Sequence, residues 1–133
     1  YKGQEVSVKG EEGRGKVLLI DDDDNWRNFV VATLEDSGYK VTTSGDNYNF
    51  ENPDQYDLIL IDDILSNGAS LEVMQTLKEK DAIAKTVAVS TNPRVERTKE
   101  RKLLGIHNLI LKPHTRASLL TEVRSALNAI RST

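Results

Sequence analysis

The chain has 133 residues, a hydrophobic share of 38%, a charged share of 29% and a formal net charge of −3, which suits one soluble globular domain with a single core. It contains no cysteine, so disulfides, thiolate nucleophiles and zinc–thiolate sites are excluded together, and a cytoplasmic setting fits. No apolar run approaches the roughly 20 residues that span a bilayer, and the opening YKGQEVSVKG lacks the apolar stretch of a signal peptide.

The charge is unevenly placed. Residues 17–63 hold twelve Asp/Glu against Arg27 and Lys40, a balance of −10, whereas residues 94–133 hold nine Lys/Arg against three Asp/Glu, a balance of +6. The first half is suited to a cation and the second to an anion or an acidic partner. A nucleic-acid patch in the basic half is the weaker reading, because aromatic residues make up only 5% of the chain and none interleave the basic ones.

Taken in order, residues 1–15, with four glycines, read as a flexible arm, linker or tag, and residues 16–133 as the folded domain. The first strand is KVLLI (16–20), running into four aspartates, Asp21 to Asp24. A helix follows, with Trp26, Phe29, Val30, Thr33 and Leu34 on one stripe, Asp24 as its cap and Gly38 as its stop. YKVTTS (39–44) is the second strand. Residues 46–54, with few apolar anchors and a proline, predict only a short irregular turn of helix. DLILI (57–61) is the third strand, and the spacing of Leu71, Met74, Leu77 and Lys78 predicts a helix from about Ser70 to Lys80. TVAVS (86–90) is the fourth strand, 94–104 a strongly basic helix, and NLILK (108–112) the fifth strand. Leu119, Leu120, Val123, Leu127 and Ile130 stripe a last helix capped near Thr115.

Short, nearly continuous apolar strands alternating with helices predict a doubly wound parallel α/β sheet with right-handed crossovers. Ligands of such sheets collect at the carboxyl ends of the strands. Those ends carry Asp21–Asp24, Asp62 and Asp63, Ser90 and Thr91, and Lys112 and Pro113. Carboxylates, a hydroxyl and a lysine on one edge suit a divalent metal and a phosphoryl group. Each motif has an ordinary reading as well: a solvated aspartate turn, a capping carboxylate, a strand-end hydroxyl, an exposed lysine. Trp26 reads as a packing residue of the first helix, His107 and His114 as surface residues, and Asp63 as an exposed residue without a role.

The acidic pair in LLIDDDD, the carboxylate of YDLILIDDIL, the hydroxyl of VAVST and the lysine–proline of LILKPH, in that order, resemble the receiver domain of two-component response regulators from Lys16 to Arg131. The resemblance implies a flavodoxin-like five-stranded sheet of order 2-1-3-4-5, here with a shortened second helix. It implies Asp62 as phosphoacceptor, with Asp22 as a direct Mg²⁺ ligand, Asp21 acting partly through water, and the backbone carbonyl of Ile64 completing the set. Lys112 would pair with a phosphoryl oxygen and Ser90 would hydrogen-bond another. Asp23 and Asp24 are left to the turn and the helix start. A histidine kinase or histidine phosphotransfer protein is the implied donor, and the chain would catalyse only its own phosphorylation and dephosphorylation. The basic helix suggests an acidic protein partner or a homodimer; neither direct DNA binding nor a membrane is expected of this chain.

Ser66 stands where the family usually has proline, and Leu109 where it often has a rotating aromatic residue, which puts the usual relay in doubt. Two rivals remain. A haloacid-dehalogenase-like phosphatase also begins with an aspartate motif after a strand, but it places its acidic pair after the serine and lysine. A receiver-like interaction module that is never phosphorylated is the other.

Overall fold

The computed structural model describes residues 15–44, 52–63, 65, 70–91, 95–112 and 115–132, without the side chains of 95–97. The elements are β1 (Gly15–Ile20), α1 (Asp24–Asp36), β2 (Tyr39–Ser44), a 3₁₀ turn (Pro53–Gln55) and β3 (Leu58–Asp62). They continue with α2 (Ser70–Glu79), a second 3₁₀ turn (Ile83–Lys85), β4 (Thr86–Ser90), α3 (Val95–Leu104), β5 (Leu109–Leu111) and α4 (Arg116–Arg131). All pairings are parallel and the strand order is β2-β1-β3-β4-β5, the order expected from the resemblance. The arm at residues 1–14 and most of the expected irregular helix lie outside the described residues. Gly15 belongs to β1, one residue earlier than the sequence pattern suggested.

Alternation along the strands builds the core in two layers. Val17, Leu19, Leu58, Leu60, Val87, Val89 and Ile110 face α1 and α4, meeting Trp26, Val30, Leu34, Leu119, Val123 and Leu127. Leu18, Ile20, Ile59, Ile61 and Ala88 face the other way, meeting Met74 and Leu77 of α2 and Ile106 after α3. Burial on both faces is why these strands read as continuous apolar runs. Truncating one such residue, Ile59→Ala for example, is expected to cost about 2–5 kcal/mol.

The helix ends follow local chemistry. Asp23, not Asp24, is the N-cap of α1, its side chain accepting from the Trp26 N–H. Thr115 caps α4 by accepting from Ser118 N–H, as expected. Gly38 (φ +98°) and Gly105 (φ +103°) occupy the left-handed conformation that turns the chain after α1 and α3. On α2 the buried stripe is Val73, Met74 and Leu77, and Lys78 is exposed rather than part of the stripe.

Candidate functional site

The carboxyl ends of β1, β3, β4 and β5 bring the acidic and basic residues together. Asp21 directly follows β1 and is fully buried. Its Oδ1 accepts from Asp23 N–H at 2.9 Å, and its carbonyl accepts from Arg27 Nη1 at 3.0 Å. Asp23 caps α1, and Asp24, in its first turn, pairs with Arg27. The four aspartates are therefore divided: Asp21 and Asp22 turn to the sheet edge, while Asp23 and Asp24 start the helix, where the dipole favours negative charge.

Asp62 closes β3 at 8% exposure, and Ser90 closes β4, buried. The pairing of Asp62 with Val89 sets Ser90 one residue further along the same edge. Lys112 follows β5, held to β4 by its N–H donating to the Ser90 carbonyl at 2.8 Å. Its ammonium lies 3.1 Å from Asp21 Oδ2, 3.4 Å from Asp62 Oδ2 and 3.9 Å from Asp23 Oδ2. It also lies 5.4 Å from the centroid of the Trp26 ring, within cation–π range. Strand parity explains the meeting: residues 21, 62 and 112 continue the alternation of Leu19, Leu60 and Ile110, all on the α1/α4 face that carries Trp26.

Carboxylate oxygens of Asp21, Asp22 and Asp62 come within 4.8 Å of one another. Among the described residues buried Asp21 Oδ2 accepts no hydrogen bond, and its close neighbour is the Lys112 ammonium. An all-oxygen set with an unsatisfied oxygen fits a hard divalent cation such as Mg²⁺. Ile64 lies outside the described residues, as do Ser66, Pro113 and His114. His107 is exposed, as expected.

Three features escaped the sequence reading. Asp63, expected to be exposed, is fully buried, and its Oδ2 accepts from Arg101 Nη1 at 2.7 Å. Arg101 is itself only 4% exposed, so it does not belong to a basic surface on α3. The signal was the strand period: Asp63 follows Ile59 and Ile61 onto the face covered by α2 and the end of α3. The third feature is Ser70, which opens α2. Its buried Oγ accepts from Leu65 N–H at 2.7 Å and donates to the Asp62 carbonyl at 3.1 Å.

A doubly wound parallel sheet that gathers carboxylates, a hydroxyl and a lysine at the carboxyl ends of its strands has the build of a signalling receiver. The chain belongs to the response regulator receiver domain family, whose model matches residues 17–124. It is thus a receiver domain of two-component signalling. It is 28% identical over 123 residues to the C4-dicarboxylate transport transcriptional regulatory protein DctD of Pseudomonas aeruginosa, covering 90% of this chain and 27% of that protein. It is 27% identical over 123 residues to the response regulator receiver protein CpdR of Brucella abortus, covering 86% of this chain and 98% of that one. Its fold matches the non-phosphorylated HemR receiver domain from Leptospira biflexa with a TM-score of 0.75 at 19% identity, covering 86% of this chain and 94% of that one. The chain spans 27%, 55% and 51% of the lengths of the first three curated relatives it matches. Among the described residues no helix is long and apolar enough to cross a membrane.

Proposed function

We propose that the chain is a phosphoaccepting receiver that takes a phosphoryl group onto Asp62 from a histidine kinase or a histidine phosphotransfer protein in the cytoplasm. The receiver unit begins at Gly15, the first residue of β1. The observation that carries the reading is the position of Lys112, with its ammonium 3.1 Å from Asp21 and 3.4 Å from Asp62.

In the transfer, an Asp62 carboxylate oxygen attacks phosphorus, the bond from phosphorus to the donor's histidine nitrogen breaks, and an acyl phosphate forms. The donor imidazole leaves with the electron pair and ends neutral because its other ring nitrogen carries a proton, taken from solvent before the bond breaks. Asp21, Asp22, Asp62 and the carbonyl of Ile64 would hold Mg²⁺, which supplies positive charge between the attacking carboxylate and the phosphoryl oxygens. Lys112 pairs with a phosphoryl oxygen as a point charge once the transfer places it beside Asp62. Ser90 donates its hydroxyl to another. Trp26 supports Lys112 from the apolar side and keeps the ammonium aimed at the carboxylates. The exposed part of α3 offers positive charge to an acidic partner or to a second copy.

Incubation with acetyl phosphate, with and without Mg²⁺, followed by intact-protein mass spectrometry tests the reading. One added phosphoryl group, dependent on Mg²⁺ and lost in Asp62→Asn, is expected. An unmodified parent protein would point instead to a receiver fold used only as an interaction module.

A further inference from the structure

We propose that Arg101 is a positioning residue that couples α3 to the acceptor through the buried Asp63–Arg101 ion pair; the proposal rests on Asp62 being the acceptor. Asp63 is the next residue after Asp62, and its N–H donates to the Val89 carbonyl at 2.7 Å. Its carboxylate, at 1% side-chain exposure, meets Arg101 at 5%, 2.7 Å away. Arg101 Nη2 also donates to Thr98 Oγ1 at 3.1 Å, so the guanidinium is held by its own helix while gripping β3. One arginine thus joins α3 to the strand end that carries Asp62.

Stability alone is a poor account of this pair. Buried ion pairs are often no better than apolar side chains of the same volume. Among the described residues Asp63 Oδ1 is buried without a hydrogen-bond partner, a half-satisfied arrangement that a nearby charge perturbs readily. Phosphorylation supplies that charge: the single negative charge of Asp62 becomes roughly two on the phosphoryl group, one residue from Asp63. The added charge acts across the strand on the neighbouring Asp63 carboxylate and on the backbone they share, loosening the grip on α3. Coupling of this kind is reciprocal, so a partner that binds α3 also alters phosphoryl acceptance. It needs no rotating aromatic residue in β5, where this chain has Leu109.

The experiment is hydrogen exchange of peptides spanning 95–104, before and after phosphorylation with acetyl phosphate and Mg²⁺, with uptake checked by mass. The parent is expected to exchange at least about fivefold faster in this segment once phosphorylated. Asp63→Leu/Arg101→Met removes both charges at similar volume. It should still take up phosphoryl, exchange quickly from the start, and respond by less than about twofold. Arg101→Lys keeps the charge but loses the two-pronged donor, and should restore part of the response. A merely structural pair would change basal exchange and leave the response to phosphorylation intact, so a parent-sized response in the double variant overturns the proposal. A phosphorylated parent whose α3 is unmoved also overturns it, whether or not any variant folds. A parent that takes up no phosphoryl sinks the acceptor reading, and this proposal with it.

Discussion

The ammonium of Lys112 lies 3.1 Å from Asp21 Oδ2, a buried carboxylate oxygen that accepts no hydrogen bond among the described residues. Lysine and a divalent cation would therefore compete for the same carboxylates. Lys112→Met is expected to tighten Mg²⁺ binding several-fold, about 1 kcal/mol at the high effective dielectric of such sites, while impairing the response to phosphorylation. Isothermal titration with Mg²⁺ checks the first effect. Weaker binding in the variant would mean that Lys112 supports the metal site rather than competing with it.

Trp26 reports on the same competition, because it is 6% exposed and has the Lys112 ammonium 5.4 Å from its ring centroid. Mg²⁺ drawn to Asp21, Asp22 and Asp62 weakens the hold of those carboxylates on Lys112 and alters the field at the indole. Titration should give a saturable change in tryptophan fluorescence, reversed by a chelator. The chain has one tryptophan, so the signal is unambiguous. Asp22→Ala should abolish it, and an unchanged titration in that variant would remove Asp22 from the ligand set.

Ser70 bridges Leu65 N–H and the Asp62 carbonyl from a buried position. Ser70→Ala leaves a donor and an acceptor unpaired, at an expected cost of about 1–3 kcal/mol. Urea denaturation should show this as a lower midpoint with an unchanged slope. Slower phosphorylation by acetyl phosphate should accompany it, since the backbone of Asp62 loses a tether. An unchanged midpoint would mean that water replaces the hydroxyl in both bonds.

Much of this was legible in the sequence because parallel strands buried on both faces announce themselves. TVAVS and YKVTTS match β4 and β2 residue for residue. The stripes of α1 and α4 are the buried ones, apart from Phe29, Leu120 and Ile130, which are partly covered. The meeting of Asp21, Asp62 and Lys112 followed from their places at strand ends, and parity in the structure explains the shared face. What was not legible is how like residues differ in place. Asp62 and Asp63 are the same amino acid side by side, yet the strand period sends one to the acidic cluster and the other to Arg101. Among the basic residues of α3, helix rotation buries Arg101 and leaves Lys99 and Lys102 exposed. Composition counts charges without reporting which face they occupy.

That difference changes where an acidic partner would be sought on α3. Lys99→Glu/Lys102→Glu alters exposed side chains and should leave stability within about 0.5 kcal/mol. It should slow association with an acidic partner, and the salt dependence of the rate should flatten. Stopped-flow binding to a phosphotransfer protein at two ionic strengths checks it; unchanged rates would place the contact elsewhere. Arg101→Glu, by contrast, buries two like charges together, and its effect would be one of folding rather than of recognition.

The central claim is that Asp62, and not its neighbour Asp63, carries the phosphoryl group. Borohydride reduces an acyl phosphate to the alcohol, converting a phosphorylated aspartate to homoserine, which survives proteolysis and sequencing by mass spectrometry. The chain is treated with acetyl phosphate and Mg²⁺, reduced, digested, and the peptide containing residues 56–65 is fragmented. Homoserine at 62, with aspartate intact at 63, is the expected result. Homoserine at 63, or at neither position in a protein that has gained a phosphoryl group, would contradict the account.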